Sequence, residues 1–283
     1  MPLTTSTEML LSAQAGGYAI GAFNIENLEM LQAVVSAAEE MNSPVIIQTT
    51  PGTVKYAGLD VYKAMTAVVA AKAKVPVALH LDHGDTHDLA TRAIEQGYTS
   101  VMIDGSFLSF EGNIDLTIGV VKVAKPMGIP VEAELGTVGG KEDDHDGGMG
   151  AYTIPSLAKE FVERTEVSSL AVAIGTAHGV YRVEPRLDVE RLKQIRDLVE
   201  VPLILHGASG ISTEQIHECI KNGICKVNFA TELRKAYTAG VKEFIKEKPD
   251  AFDPKGYGAA GRETVKKLVI DLIKTCGCDG RAK

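Results

Sequence analysis

Three histidines close three separate apolar runs. His83 ends VALHLDHG (77–84), His178 ends the run in AVAIGTAHG, and His206 ends the run in PLILHG. Carboxylates hold matching places: Asp82 beside His83, Asp104 at the end of SVMIDGS, and Glu134, with Glu132, in IPVEAELG. A short apolar run bounded by Pro or Gly reads as a buried strand. In parallel α/β proteins, chemistry collects just beyond the carboxyl ends of strands. If these ends form one rim, Asp82, His83, Asp104, Glu134, His178 and His206 are neighbours. Three neutral imidazoles around an open position are the donor set of a catalytic zinc site. His80 lies two residues before Asp82, so it points to the same side but deeper, as a buried support. His87, His145 and His217 fall in helices or loops and are expected in solvent.

Two further stretches suggest chemistry. HGASG (206–210) offers small residues that let backbone N–H groups approach an anion, and NFAT (228–231) opens a helix. Loops after the last two strands of a barrel, with a helix N-terminus, are a common phosphate cradle. TVGGKEDDHDGG (137–148) is glycine-rich and acidic. It reads either as a solvated loop or as a lid with glycine hinges that carries an acid or base.

The elements that must position these residues follow from periodicity. Strands are expected over 18–24, 43–50, 75–83, 98–106, 129–136, 201–207 and 224–231, and residues 167–179 are expected to hold the sixth strand and its loop. Helices are expected over 5–16, 27–42, 59–74, 86–97, 113–127, 155–165, 188–200 and 212–222, then from Thr231 to Lys248 and over 262–275. Asn24 or Asn27, Thr86 and Ser212 are candidate N-caps. Pro51-Gly52 reads as a turn. Strands alternating with helices, with no linker composition between them, predict a single (β/α)8 TIM barrel over residues 1–283, with extra N- and C-terminal helices. The alternative, an open doubly wound sheet, lacks a GxGxxG after the first strand.

Composition narrows the class. The chain is 45% hydrophobic with no Trp and has a net charge of −8, which argues against a nucleic-acid surface. No apolar run has the length of a membrane helix, and the N-terminus lacks signal-peptide character. The four cysteines have no zinc-finger spacing and read as free thiols in a reducing compartment, so a cytoplasmic location is expected.

HLDHG, SVMIDGS, VEAELGTVGGKEDD, LAVAIGTAHG, LILHGASGI and CKVNFATEL together resemble the class II, metal-dependent ketose-bisphosphate aldolases. The likeness runs in order along nearly the whole chain. AIGTAHG, HGASG, NFATEL and the terminal CGCDGRA are most similar to the tagatose-1,6-bisphosphate aldolases, with short fructose-1,6-bisphosphate aldolases close behind. The resemblance implies that His83, His178 and His206 bind Zn2+, and that Asp104 and Glu134 offer a second or alternate metal position. It implies that Asp82 is the acid/base at the C4 oxygen and that Glu142 moves the proton at C3. Gly179, Gly207, Ala208, Ser209, Asn228, Phe229, Ala230 and Thr231 would bind the ketone phosphate. Backbone carbonyls at Ala177, Gly179, Gly207 and Ser209 would hold Na+ or K+. A sugar bisphosphate substrate, a homodimer or homotetramer, and an accessory subunit are the implied partners, with no nucleic acid and no membrane. Lys141 and SFLSF (106–110) depart from the usual pattern and bear on the aldehyde side.

The chemistry needs these residue types. Retro-aldol cleavage leaves negative charge on oxygen, which a Lewis acid stabilises. One group must take the C4 hydroxyl proton and another must serve C3. Three rival readings use the same residues differently. They are a Schiff-base aldolase on Lys226, a metal-dependent hydrolase, and a barrel that binds sugar phosphates without turnover.

Overall fold

Short apolar runs form the strands, and glycine- and proline-marked ends set their limits. The protein is described by a computed structural model covering residues 3–142, 145–146, 150–179 and 185–282. In chain order the strands are β1 (Ile20–Asn24), β2 (Val45–Thr49), β3 (Val77–Gly84), β4 (Ser100–Ile103), β5 (Val131–Leu135), β6 (Gly139–Glu142), β7 (His145–Asp146), β8 (Ser169–Val172), β9 (Ala177–His178), β10 (Leu203–Leu205) and β11 (Ile224–Phe229). The helices are α1 (Thr7–Gly16), α2 (Leu28–Glu40), α3 (Pro51–Ala57), α4 (Leu59–Lys72), α5 (His87–Gln96), α6 (Phe110–Ala124), α7 (Pro155–Thr165), α8 (Val189–Leu198), α9 (Thr213–Lys221), α10 (Thr231–Glu247) and α11 (Pro254–Cys276).

Eight strands close in the order β1-β11-β10-β8-β5-β4-β3-β2, all pairs parallel. This is the expected (β/α)8 barrel with extra helices. Strand residues alternate between the two faces. One set, including Leu79, Leu81, Ala133 and Val227, is buried beneath the helices. The other set on β3, β5 and β11 is polar: His80 and Asp82, Glu132 and Glu134, Lys226 and Asn228. These meet across the barrel, Lys226 with Glu132 and Asn228 with Asp82. Branched aliphatic side chains dominate most barrel interiors; here ionisable groups fill the middle. The caps expected at Asn27, Thr86 and Ser212 are present, each accepting from an N–H in the first turn.

Four local readings change. Pro51-Gly52 does not end in a turn but begins α3. Thr50 accepts from the Thr53 N–H, and Pro51 stands at the helix start, where its missing donor costs nothing. α6 starts three residues earlier than expected, with Ser109 as cap, and closes in a 3-10 turn at Lys125–Met127. α11 starts at Pro254, not at 262, with Asp253 as cap. Two of its early glycines are close-packing points against α10: a Cβ would lie 2.9 Å from the Phe244 ring at Gly256 and 2.6 Å from the Tyr237 ring at Gly261. Finally, the acidic loop after β5 is partly ordered into a small sheet, β7-β6-β9. Residues 143–144 and 147–148 of the expected lid lie outside the described residues.

Candidate active site

β3 presents two neighbouring residues to the same site, which a regular strand cannot do. Its pairing with β4 slips between Leu81 and Gly84: Leu81 faces Val101, but Gly84 faces Ile103. The extra residue is a β-bulge, a device that re-aims side chains. His83 sits in the left-handed region at φ 49°, unusual for a residue with a side chain. Gly84 completes the bend. A Cβ there would lie 2.5 Å from the Met102 carbonyl oxygen.

Asp82 is buried and doubly held. Its Oδ2 accepts from Asn24 Nδ2 at 2.8 Å, and its Oδ1 from Asn228 Nδ2 at 3.0 Å. Gln48 in turn donates to Asn24 Oδ1 at 2.9 Å. The amides fix the carboxylate plane without neutralising its charge.

The three histidines converge. The His83 ring centroid lies 4.9 Å from that of His178 and 4.6 Å from that of His206. Ligand atoms of His83, His178 and His206 lie within 4.8 Å of one another. Carboxylates set two of the tautomers. His83 Nδ1 lies 2.8 Å from Asp104 Oδ2, and His206 Nε2 lies 2.8 Å from Glu132 Oε1. Burial would raise the Asp104 carboxyl, but hydrogen bonds from His83 and Ser106 hold it down to about 2. Burial would likewise raise Glu132, yet the Lys226 ammonium and the His206 bond hold it well below the usual range. Both carboxylates are therefore ionised acceptors, so each imidazole donates to its carboxylate. That leaves His83 Nε2 and His206 Nδ1 facing each other lone pair to lone pair, 2.8 Å apart. Only a cation or a shared proton relieves such a contact. Burial lowers the His206 pKa and so disfavours the proton. The donor set fits a metal ion.

His83, Asp104 and Glu134 form a second group of convergent ligand atoms. Glu134 is fully buried. Its Oε1 accepts from the Val138 N–H at 3.0 Å, while its Oε2 has no hydrogen-bond partner among the described residues. Burial, together with the Asp104 charge, pushes its carboxyl up to about 8. His178 stands on β9, whose pairing with β6 sets Gly140 opposite it. Glu142 is the last residue of β6, and its side chain lies outside the described residues.

A narrow cleft of about 20 Å³ runs beside the histidines, lined by Asn24, His178, Gly179, Gly207, Ser209, Asn228, Ala230 and Thr231. It gathers most of the expected phosphate residues and opens on the N-terminus of α10. Ala208 and Phe229 are buried outside it; the Phe229 ring stacks on Phe23 at 5.7 Å. Ser209 also differs from expectation, because its hydroxyl donates to Glu232 Oε2 at 2.9 Å. The Gly210 N–H donates to Glu232 Oε1 at 2.8 Å. A carboxylate thus takes two donors of the anion loop. The sign of Glu232 in the sequence is its place in the first turn of the helix that follows the last strand.

A larger cavity of about 470 Å³ opens on the other side of the trio. α3 supplies Val54 and Lys55, α5 supplies Leu89 and Arg92, and Phe107 and Val138 add apolar wall. Phe107 belongs to the SFLSF stretch that departs from the usual pattern. His87 and His217 are exposed, as expected, and the His145 side chain lies outside the described residues. Sequence reasoning missed Glu132, which shares its strand face with Glu134 and supports His206. Lys226, the candidate Schiff-base lysine, is buried in an ion pair with Glu132 at 2.9 Å.

The family model described as class II fructose-bisphosphate aldolase matches residues 4–281. Among solved structures, the YdjI aldolase from Escherichia coli K12 is 41% identical, with 99% of this chain and 100% of that one covered and a TM-score of 0.88. A provisionally assigned fructose-1,6-biphosphate aldolase from Coccidioides immitis is 32% identical, covering 97% and 96%, at a TM-score of 0.90. The fructose-bisphosphate aldolase of Campylobacter jejuni, 24% identical over 98% and 96%, shares the fold at a TM-score of 0.84. Because the family match takes in every strand that brings a residue to the rim, this chain belongs to the class II fructose-bisphosphate aldolase family and is an aldolase, a carbon–carbon lyase.

Proposed function

We propose that the enzyme reversibly cleaves D-tagatose 1,6-bisphosphate to dihydroxyacetone phosphate and glyceraldehyde 3-phosphate, with Zn2+ held by His83, His178 and His206. The observation that carries this reading is the convergence of the His83, His178 and His206 ligand atoms, within 4.8 Å of one another, beside the buried Asp82. When bound, the zinc ion supplies Lewis-acid stabilisation for negative charge that develops on substrate oxygen.

Asp82 takes the proton from the C4 hydroxyl during cleavage and returns it in the synthetic direction. Asn24 and Asn228 hold its carboxylate in one orientation, so no reorganisation is needed at that step. Glu142 moves the proton at C3; its strand β6 runs alongside the strand of His178. The ketone phosphate takes the cleft between Gly179, Gly207, Ser209 and the first turn of α10, displacing Glu232 from the Ser209 and Gly210 donors that it holds in the free protein. Backbone carbonyls of Ala177, Gly179, Gly207 and Ser209 offer a place for Na+ or K+, and Asp104 and Glu134 an alternate metal position. The aldehyde half enters the larger cavity.

Tagatose over fructose rests on the motif pattern AIGTAHG, HGASG, NFATEL and CGCDGRA. Prolonged EDTA is expected to abolish cleavage and Zn2+ to restore it; full activity in metal-free protein refutes the zinc assignment. The deciding measurement for the substrate is kcat/KM for both bisphosphates on zinc-loaded enzyme. A higher value for the fructose compound reverses the epimer assignment while leaving the aldolase intact.

A further inference from the structure

Below the histidines the barrel carries a charge pair that the proposed reaction does not use. Lys226 Nζ reaches both oxygens of Glu132, at 3.1 and 2.9 Å. The side chains are 1% and 2% exposed. They come from β11 and β5, which are not neighbours in the sheet. A fully buried ion pair is costly to desolvate, and an aliphatic layer fills a barrel without that cost. The pair therefore needs a reason beyond filling space. Glu132 Oε1 supplies one, because it also accepts from His206 Nε2 at 2.8 Å.

An imidazole can carry its proton on either nitrogen, and the bond made by one nitrogen decides the state of the other. With its proton on Nε2, His206 turns the Nδ1 lone pair toward His83. With the proton on Nδ1, it turns an N–H there and offers no ligand atom. Glu132 makes the first state the stable one, and the two bonds from Lys226 stop the carboxylate from rotating or seeking another donor. His80 stands nearby, but its Nε2 is 3.9 Å from Glu132 Oε2, too far for a hydrogen bond, and its Nδ1 pairs with Ser100 at 2.7 Å.

We infer that Glu132, clamped from behind by Lys226, is a positioning residue that fixes the tautomer and ring direction of His206 and so sets how tightly the histidine trio holds its metal. This rests on the reading of the trio as a zinc site. The tests are long-range 15N–1H spectra of the histidine rings in metal-free protein and zinc affinity by competition with a chromogenic chelator. In the wild-type protein His206 is expected as a single Nε2–H tautomer. Glu132→Gln and the charge-free double variant Glu132→Gln/Lys226→Met should lose that single state and bind zinc roughly 10–100-fold more weakly. The double variant avoids a stranded buried ammonium, and the wild-type spectrum needs no variant. An Nδ1–H tautomer in the wild-type protein overturns the inference, as does wild-type zinc affinity in the folded double variant. Wild-type protein that holds no zinc overturns the zinc reading itself, and the ring spectra distinguish the two failures.

Discussion

In the proposed reaction Asp82 and Glu142 are two carboxylates with different supports and different jobs. Asp82 is buried on a barrel strand between two amide donors. Glu142 ends β6, in the small sheet outside the barrel. Exchange of the C3 proton of dihydroxyacetone phosphate needs the C3 base but no aldehyde, whereas cleavage needs both groups. Asp82→Ala is therefore expected to lose cleavage by roughly 10²-fold or more while keeping much of the exchange, and Glu142→Ala to lose both. Deuterium wash-in followed by NMR, with zinc content checked in each variant, separates them. Exchange at the wild-type rate in Glu142→Ala moves the C3 role to another group. The histidine trio and Asp82 were legible in the sequence because residue type and strand-end position carry that information. The division between Glu132 and Glu134 was not. Two residues apart on one strand, they share a face, and only depth tells that one meets His206 and Lys226 while the other meets Val138. The partner of Ser209 was hidden for a similar reason: a hydroxyl and a carboxylate 23 residues apart give no local sign that they bond.

At the level of elements, the bulge in β3 is the step that simple alternation hides. A regular strand would turn His83 away from Asp82; the pairing slip and the left-handed His83 bring both to the rim. Gly84 makes this possible, because any side chain there meets the Met102 carbonyl oxygen at 2.5 Å. The neighbouring backbone has little freedom to retreat, since the Gly84 carbonyl accepts from the Asp104 N–H at 2.8 Å. Gly84→Ala is expected to destabilise the fold by about 1–3 kcal/mol, as overpacking does in a filled interior. It should also lower zinc content, since Asp104 and His83 move together. Urea denaturation and metal analysis check both; an unchanged midpoint with full zinc content refutes this role. Elsewhere, glycine and proline misled in opposite senses. Pro51-Gly52 looks like a turn, yet Thr50 and Pro51 are a helix start, and α3 then walls the larger cavity. Gly256 and Gly261 of α11 look like breakers, yet they admit the Phe244 and Tyr237 rings of α10. Local propensity cannot see the neighbour that a missing side chain makes room for.

Across the whole molecule, closure of the barrel ties the site to global stability. The rim residues come from β3, β5 and β11, from the loops after β4 and β10, and from β9, so local loosening of any one strand disturbs the set. The thiols offer a way to read this, because all four cysteines are free and buried, Cys276 and Cys278 side by side and the other two on separate elements. Cys219 lies on α9 and Cys225 on β11, while Cys276 ends α11 and Cys278 follows it. Burial pushes the Cys219 thiol up to about 12 and the Cys225 thiol up to about 11, so neither supplies thiolate in the folded state. At the C-terminus the hydrogen bond between the two thiols pushes Cys276 up and Cys278 down, so Cys278 is protected by its burial and by the backbone around it. Ala19 N–H donates to the Cys276 carbonyl, and the segment beyond is tied to the end of α2 through Gly280 N–H to Met41 O at 2.8 Å and Ala282 N–H to Asn42 O at 2.9 Å. An aromatic disulfide reagent is therefore expected to label no thiol of the native protein quickly and all four in concentrated guanidinium. In mild denaturant the four should react at one common rate, set by opening of the whole barrel. Zinc at the proposed histidine site, bound only in the folded state, should slow all four alike. Mass spectrometry of partly labelled samples reads the order. If Cys276 and Cys278 react ahead of Cys219 and Cys225, and zinc slows only the latter two, then α11 opens by itself and the C-terminal helix lies outside the unit that holds the site together.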